Sequence, residues 1–172
     1  VAVKSKSNIR YHNFIELFNL DPALAEKTFH YGEELLGKFE SFGLSGSITP
    51  HAPYSLSKKL FQLIRDHSNV HNSLWSIHHQ ETTDENSNSG SVLHFFKSKG
   101  LLPVEFENDE KSSTEFIHSF FPKSQKLLLV HNTFTDSNDI DFLKSSCDIL
   151  RTFFCLCPNA NLYIENRLPN IF

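Results

Sequence analysis

The strongest constraint on the fold is a repeated alternation of short apolar runs with longer amphipathic stretches. The apolar runs begin near residues 8, 44, 74, 126 and 152, and their composition is typical of buried strands. The stretches between them carry helical periodicity and helix-capping residues. This alternation predicts an α/β fold of parallel βα repeats with about five strands.

Helix signals lie between the predicted strands. Asp21 and Pro22 indicate a helix start, because a carboxylate can cap the first turn and proline suits the first helical position. Gly43 predicts the end of that helix. Residues 92–99 and 113–120 predict two short helices. Three further expectations are an inward-facing stripe of Leu24, Tyr31, Leu35, Leu36 and Phe39, a helix cap at Ser55 or Ser57, and a helix that Asn138 caps and Ser145 ends.

The run from residue 74 to residue 80 is the predicted central strand, and its alternation separates two kinds of side chain. Trp75 lies on the face that suits contact with helices, whereas His78 lies on the opposite face, which suits a polar centre. His79 shares the helix-facing side and therefore ranks below His78 as a ligand. Glu81 can reach the His78 side only if the strand ends there and the chain bends into a loop.

Polar side chains recur where the predicted strands end. In chain order these are His51, then His78 with Glu81, then His131, then Asn159 and Asn161. In a βα barrel the carboxyl ends of all strands meet at one mouth, so we expect these side chains to converge. A neutral imidazole can bind a divalent metal, and a neighbouring carboxylate can move protons on an activated water.

A plainer interpretation of the same residues stays open at this point. His78 and His79 would then be hydrogen-bonded polar groups at a strand end, and Glu81 would cap the next turn. The six histidines outside these positions lie on predicted loops or helix faces, where surface or structural roles are the expectation. Cys155 and Cys157 would point to one side of a strand, which allows a zinc site, but buried thiols in a reduced compartment are the favoured interpretation.

Composition excludes several function classes. The chain has 172 residues, a formal net charge of −4 and no long basic run, so nucleic-acid binding is not expected. No apolar run approaches the roughly 20 residues of a membrane span. We expect a cytoplasmic protein. The absence of methionine, including an initiator, leads us to expect one segment of a longer protein.

Four motifs in this order resemble those of the amidohydrolase superfamily. The motifs are Pro-His-Ala-Pro-Tyr at residues 50–54, His78-x-x-Glu81-Thr82-x-x-Glu85, Leu-Val-His-Asn at 129–132 and Cys-Pro-Asn-Ala-Asn at 157–161. They are most similar to the branch of chlorotriazine hydrolases, guanine deaminase and methylthioadenosine/S-adenosylhomocysteine deaminases. The resemblance implies a metal-dependent hydrolase TIM (β/α)8 barrel, of which residues 1–172 would be a single incomplete segment with the third to seventh strands.

The resemblance also implies roles for individual residues. His78 is expected to be the metal ligand from the family's fifth strand, and Glu81 the proton shuttle between activated water and leaving group. His131 would polarise the substituent on the attacked carbon or hold the water. His51 and Asn161 are the expected substrate-binding residues, Asn161 with at most a positioning role. The implied cofactor is one divalent metal ion, zinc or iron, in the intact protein.

The implied function is metal-dependent hydrolysis of a C–N bond other than a peptide bond, with an aminohydrolase (deaminase) of a nitrogen heterocycle as the leading subtype. The expected partner is a small-molecule substrate, without nucleic acid or membrane, and we expect a homo-oligomer. The family's first-strand His-x-His pair and eighth-strand Asp have no counterpart in the sequence, so we expect the segment alone to be inactive. The alternatives are a ring-opening amide hydrolase of the imidazolone type and a non-catalytic α/β scaffold or interaction protein.

Overall fold

The computed structural model describes residues 1–86, 91–100, 112–122, 124–146 and 149–170. Within these ranges strands and helices alternate from residue 12 onwards. The strands are β1 (His12–Leu17), β2 (Ser45–Pro50), β3 (Trp75–His79), β4 (Leu127–His131) and β5 (Thr152–Cys155). The helices are α1 (Ala2–Ser5), α2 (Ala25–Glu40), α3 (Lys58–His71), α4 (Ser91–Ser98), α5 (Ser113–Phe120), α6 (Ser137–Ser146) and α7 (Pro158–Glu165). The predicted α/β alternation is confirmed.

All strand pairs are parallel and join neighbours in chain order. β1 pairs with β2, and β3 pairs with β4, which pairs with β5. β2 and β3 meet through a side chain: the Thr49 hydroxyl donates to the Ser76 carbonyl and accepts the Ser76 N–H at 2.8 Å. The His78 N–H then donates to the His51 carbonyl at 2.8 Å. Consecutive parallel strands in this order are typical of a βα barrel rather than a doubly wound sheet.

Helix α2 shows where the periodicity was misleading. Asp21 caps a short 3-10 turn, Pro22–Leu24, and α2 follows it. The predicted inward stripe is wrong at its start, because Leu24 is 44% exposed and Tyr31 is 56% exposed. The buried face is Ala25, Phe29, Gly32 and Leu36. A Cβ atom at position 32 would lie 3.0 Å from Leu17 Cδ1, so the helix packs closely on β1 at a residue with no apolar signal.

One predicted helix cap is confirmed, and another is corrected. Ser57 caps α3, as one of the two alternatives predicted, by accepting the Leu60 N–H at 3.3 Å. The cap of α6 is Asp136 rather than Asn138, because Asp136 Oδ1 accepts the Asn138 N–H at 2.8 Å. Residues 158–161 are the first residues of α7.

The helix-facing side of β3 is the centre of the core, as predicted. Trp75 and Ile77 are fully buried, and the Trp75 indole N–H donates to Ser68 Oγ of α3 at 2.6 Å. His79 is on the same side and fully buried, with Nε2 2.9 Å from Thr114 Oγ1 of α5. This arrangement leaves the opposite face of β3 for His78. Within the described ranges, no helix combines the length and apolar character needed to cross a membrane.

Candidate metal centre

His78 is the hub of a cluster of imidazoles and carboxylates at the carboxyl ends of four strands. Its Nδ1 lies 3.0 Å from His131 Nε2, and the two rings stack with centroids 5.1 Å apart. The β3–β4 register pairs His79 with His131 and His78 with Val130. His131 and Asn132 have positive φ angles of 79° and 56°, so the chain turns sharply where β4 ends.

Glu81 reaches the same point because the chain bends after β3, as the sequence required. Gln80 has a φ of 48° and ends the extended run. Glu81 Oε1 then lies 3.2 Å from His131 Nε2. The Glu81 N–H donates to Glu85 Oε2 at 3.0 Å, and Glu85 Oε1 accepts the Ser113 hydroxyl at 2.6 Å. Glu85 therefore fixes the bend to α5.

The Glu85 carboxyl is buried, and burial raises its pKa to about 7, with a further increase from the Glu81 charge. The hydrogen bonds from Ser113 and from two main-chain N–H groups oppose this shift. The same two carboxyl groups contribute to a higher pKa for Tyr54, whose main cause is burial of the phenol. The environment of the bend therefore disfavours the negatively charged forms of Glu85 and Tyr54.

His51 lies beside His78, with ring centroids 4.7 Å apart. Its Nδ1 is 3.0 Å from Ser55 Oγ. Burial lowers the pKa of His51, and the neighbouring His78 lowers it further. The ring is therefore poised as a neutral imidazole, the form that binds metals.

Glu16 is part of the cluster, and the sequence analysis missed it. Its Oε1 lies 3.5 Å from His78 Nε2. The hydrogen bond to His78 lowers the pKa of Glu16 against the opposing effect of burial, and the same bond raises the pKa of His78. A signal was available, because Glu16 occupies the strand face opposite the buried Ile15 and Leu17 near the end of a strand.

Asn161 lies behind His131 rather than at the exposed mouth of the site. Its side chain is fully buried, and its Nδ2–H donates to the His131 carbonyl at 3.2 Å. That bond orients Asn161 Oδ1 towards His131 Nδ1, at 3.1 Å. Nδ1 therefore carries a hydrogen, and His131 Nε2 faces His78 and Glu81. Asn159 is exposed and is not brought to the cluster.

The donor atoms are spaced as the ligands of one ion would be. Among the residues that the structure describes, two groups of three have ligand atoms within 4.8 Å of one another: His78, Glu81 and His131, and Glu16, His51 and His78. In the first group two distances from His131 Nε2 are 3.0 and 3.2 Å. Adjacent ligands of a tetrahedral zinc ion lie roughly 3.3–3.6 Å apart, given bonds of about 2.0–2.2 Å, so both distances fall within a few tenths of an ångström of that spacing. Two imidazoles with one carboxylate are a donor set of catalytic zinc and non-haem iron.

Comparison with solved structures gives strong matches over nearly the whole chain. Aminofutalosine deaminase from Helicobacter pylori matches with a TM-score of 0.82 and 20% identity, over 99% of this chain and 43% of that chain. Guanine deaminase from C. acetobutylicum, with bound guanine, matches with a TM-score of 0.67 and 19% identity, over 94% and 37%. An adenosine deaminase from Xanthomonas campestris with bound zinc matches with a TM-score of 0.65 and 18% identity, over 98% and 35%.

The chain has the fold of these deaminases. The resemblance to the guanine deaminase branch is thereby confirmed at the level of fold. The chain spans less than half the length of each of these three structures. No family model matches the sequence, and no curated protein matches it. The roles expected for the individual site residues, the compartment and the homo-oligomer stay predictions.

Proposed function

We propose that this chain is the third-to-seventh-strand portion of a (β/α)8 metal-dependent hydrolase that cleaves a C–N bond other than a peptide bond. The observation that carries the proposal is the convergence of His78, Glu81 and His131 from the ends of two strands. The most concrete form is an aminohydrolase of a nitrogen heterocycle. Matched structures named as deaminases of guanine, adenosine and aminofutalosine support that subtype.

The exposed edge of the sheet supports the proposal that further strands complete a barrel. Phe153 and Phe154 on the edge strand β5 are 47% and 37% exposed. Three large side chains of the following helix are also exposed: Leu162, Tyr163 and Ile164. A parallel edge strand with apolar side chains normally pairs with another strand or is covered.

His78 would hold the divalent cation, with His131 as a second nitrogen donor, and the Glu81 carboxylate would lie beside the cation without being needed to bind it. When bound, such a cation would supply the Lewis acidity that makes water a nucleophile near neutral pH. Glu81 Oε1 would accept the proton from that water and return it to the departing amine, which leaves as ammonia. His131, as a donor to the same cation, would hold the water or the substituent on the attacked carbon in position beside it.

Asn161 and Glu85 hold these groups in position. Asn161 keeps the proton of His131 on Nδ1, as outer hydrogen-bond partners of metal-binding histidines commonly do. Glu85 accepts the Glu81 N–H and so fixes the main chain from which the proton-transferring carboxylate extends. His51 lies next to His78 at the rim and would contact the heterocycle.

The test uses the whole protein that contains this chain. We expect ammonia release from at least one member of a panel of purines, pterins and pyrimidines, and about one zinc or iron ion per chain. Glu81→Gln should reduce turnover by about 10²–10⁴-fold, the usual effect of losing a general acid–base group. Its metal content should be unchanged, because the proposed duty of Glu81 is proton transfer.

Glu33→Gln is the matched control. Glu33 is an exposed carboxylate that lies away from the cluster and contacts His30 at 2.8 Å. This control should leave turnover unaltered. Loss of the metal in Glu81→Gln would assign that carboxylate to the ligands and refute the shuttle role. Substrate consumption without ammonia, with an acid product, would favour the ring-opening amide hydrolase. A protein that binds no metal and turns over nothing on the panel would favour the scaffold.

A further inference from the structure

The second nitrogen of His78 faces a separate set of donors. We name His78, Glu81 and His131 the inner group, and Glu16, His51 and His78 the outer group. His78 Nδ1 lies 3.0 Å from His131 Nε2, on the inner side. His78 Nε2 lies 3.5 Å from Glu16 Oε1, on the outer side. One nitrogen of the ring therefore faces His131, and the other faces Glu16.

The hydrogen bonds of Ser55 determine the protonation of His51. The Ser55 hydroxyl donates to the Ala52 carbonyl at 3.0 Å, so its only hydrogen is committed. Ser55 Oγ also accepts the Ala52 N–H at 3.2 Å. Its contact with His51 Nδ1, at 3.0 Å, must then be donated by the ring. His51 Nε2 is left unprotonated, which is the form of a metal ligand with an outer hydrogen-bond partner.

The outer group is reachable from solvent. The Glu16 side chain is 40% exposed, and that of His78 is 24% exposed. In the inner group, by contrast, the His131 side chain is 7% exposed and that of Glu81 is 19% exposed. A cation entering from solvent would therefore meet Glu16 before it reaches the inner carboxylate. Two imidazoles with one carboxylate favour zinc, cobalt or nickel over the purely oxygen-bound cations.

We propose that Glu16, His51 and His78 form a second position for a divalent transition-metal cation, exclusive with the position at the inner group. Exclusion follows from the ring of His78, because a neutral imidazole has one unprotonated nitrogen and can bind one cation at a time. A cation held in the outer group would occupy His78, so the inner group would lose the ligand that the two groups share. The exclusion rests on the inner metal position of the proposed function, whereas the outer position itself does not.

The experiment is a Co²⁺ titration of the purified chain after chelation, followed by visible absorption and calorimetry, with circular dichroism as the folding check. All variants carry His71→Asn, because His67 and His71 stack on α3 with ring centroids 4.3 Å apart and could bind cobalt themselves. His131→Asn isolates the outer group, and Glu16→Gln isolates the inner group. Glu33→Gln is the matched acid-to-amide control beside an exposed histidine.

We expect the parent variant to bind one equivalent of Co²⁺. His131→Asn should still bind one equivalent, and adding either Glu16→Gln or His51→Asn should weaken that binding at least tenfold. Glu16→Gln alone should still bind one equivalent of Co²⁺, and adding His131→Asn should weaken that binding at least tenfold. The Glu33→Gln control should change nothing.

Three results would overturn all or part of the proposal. Cobalt binding in His131→Asn that is indifferent to both Glu16→Gln and His51→Asn would refute the outer position. Two equivalents in the parent variant, both lost on His78→Asn, would refute the exclusion. If Glu16→Gln alone binds no cobalt while His131→Asn binds one equivalent, the inner metal position fails and the outer position stands, which separates the two proposals.

Discussion

Glu85→Gln tests how the buried carboxyl group next to the proposed proton shuttle affects stability. Burial raises the pKa of Glu85 from an ordinary value of 4.5 to about 7. Its unfolded form should titrate at the ordinary value. Between these pH values the folded state binds more protons than the unfolded state, so the free energy of unfolding must fall as pH rises through this window.

The size of the effect follows from the shift. A pKa difference between 4.5 and about 7 corresponds to about 3 kcal/mol at about 1.4 kcal/mol per unit. Glutamine at position 85 has no such titration, and it preserves the shape of the site. Its carbonyl oxygen can accept the Glu81 N–H, and its amide can donate to Ser113 Oγ. The free energy of unfolding of Glu85→Gln, taken relative to that of the wild type, should therefore rise by about 3 kcal/mol between pH 4.5 and pH 8.

The assay is urea unfolding of the chain and of Glu85→Gln at intervals from pH 4.5 to pH 8, with the difference in unfolding free energy plotted against pH. Subtraction cancels the other titrating groups that the two proteins share. The exposed Glu33→Gln control should stay within about 0.5 kcal/mol of the wild type throughout. A flat difference curve for Glu85→Gln, or one that falls as pH rises, would refute the reasoning that burial dominates the Glu85 environment.

Two pairs of substitutions test the positioning and packing arguments. Asn161→Ala should weaken Co²⁺ binding to the inner group by about 10–100-fold, since His131 loses its outer partner, and Asn161→Asp should preserve most of it; calorimetry measures both. Gly46→Ala should destabilise the fold by about 1–3 kcal/mol, because its Cβ would lie 2.8 Å from the Asn13 carbonyl oxygen. Gly37→Ala lies at an exposed position of helix α2 with nothing within 4 Å of its Cβ, and should instead stabilise the helix by about 0.5–1 kcal/mol. Urea unfolding at pH 7 compares the two glycine variants, and an equal response would contradict the packing argument.

Much of the candidate site followed from local rules. Strand parity placed His78 opposite Trp75, and the requirement that Glu81 turn back predicted the bend that Gln80 makes with its positive φ angle. His79 faces the helices, as parity required. These features are predictable because side-chain direction in a strand depends on residue count alone.

The sequence by itself determined the strand–helix alternation, the polar strand ends and the face on which each histidine lies. The tertiary structure alone decided which of those ends touch. Glu16 joins the cluster only because β1 and β3 deliver their carboxyl ends to the same mouth, and Asn161 moves behind His131 only because residues 158–165 form a helix. The raised pKa of Glu85 likewise depends on burial by distant segments. Periodicity reports direction within one element, whereas distance, burial and charge depend on neighbours that are remote in the chain.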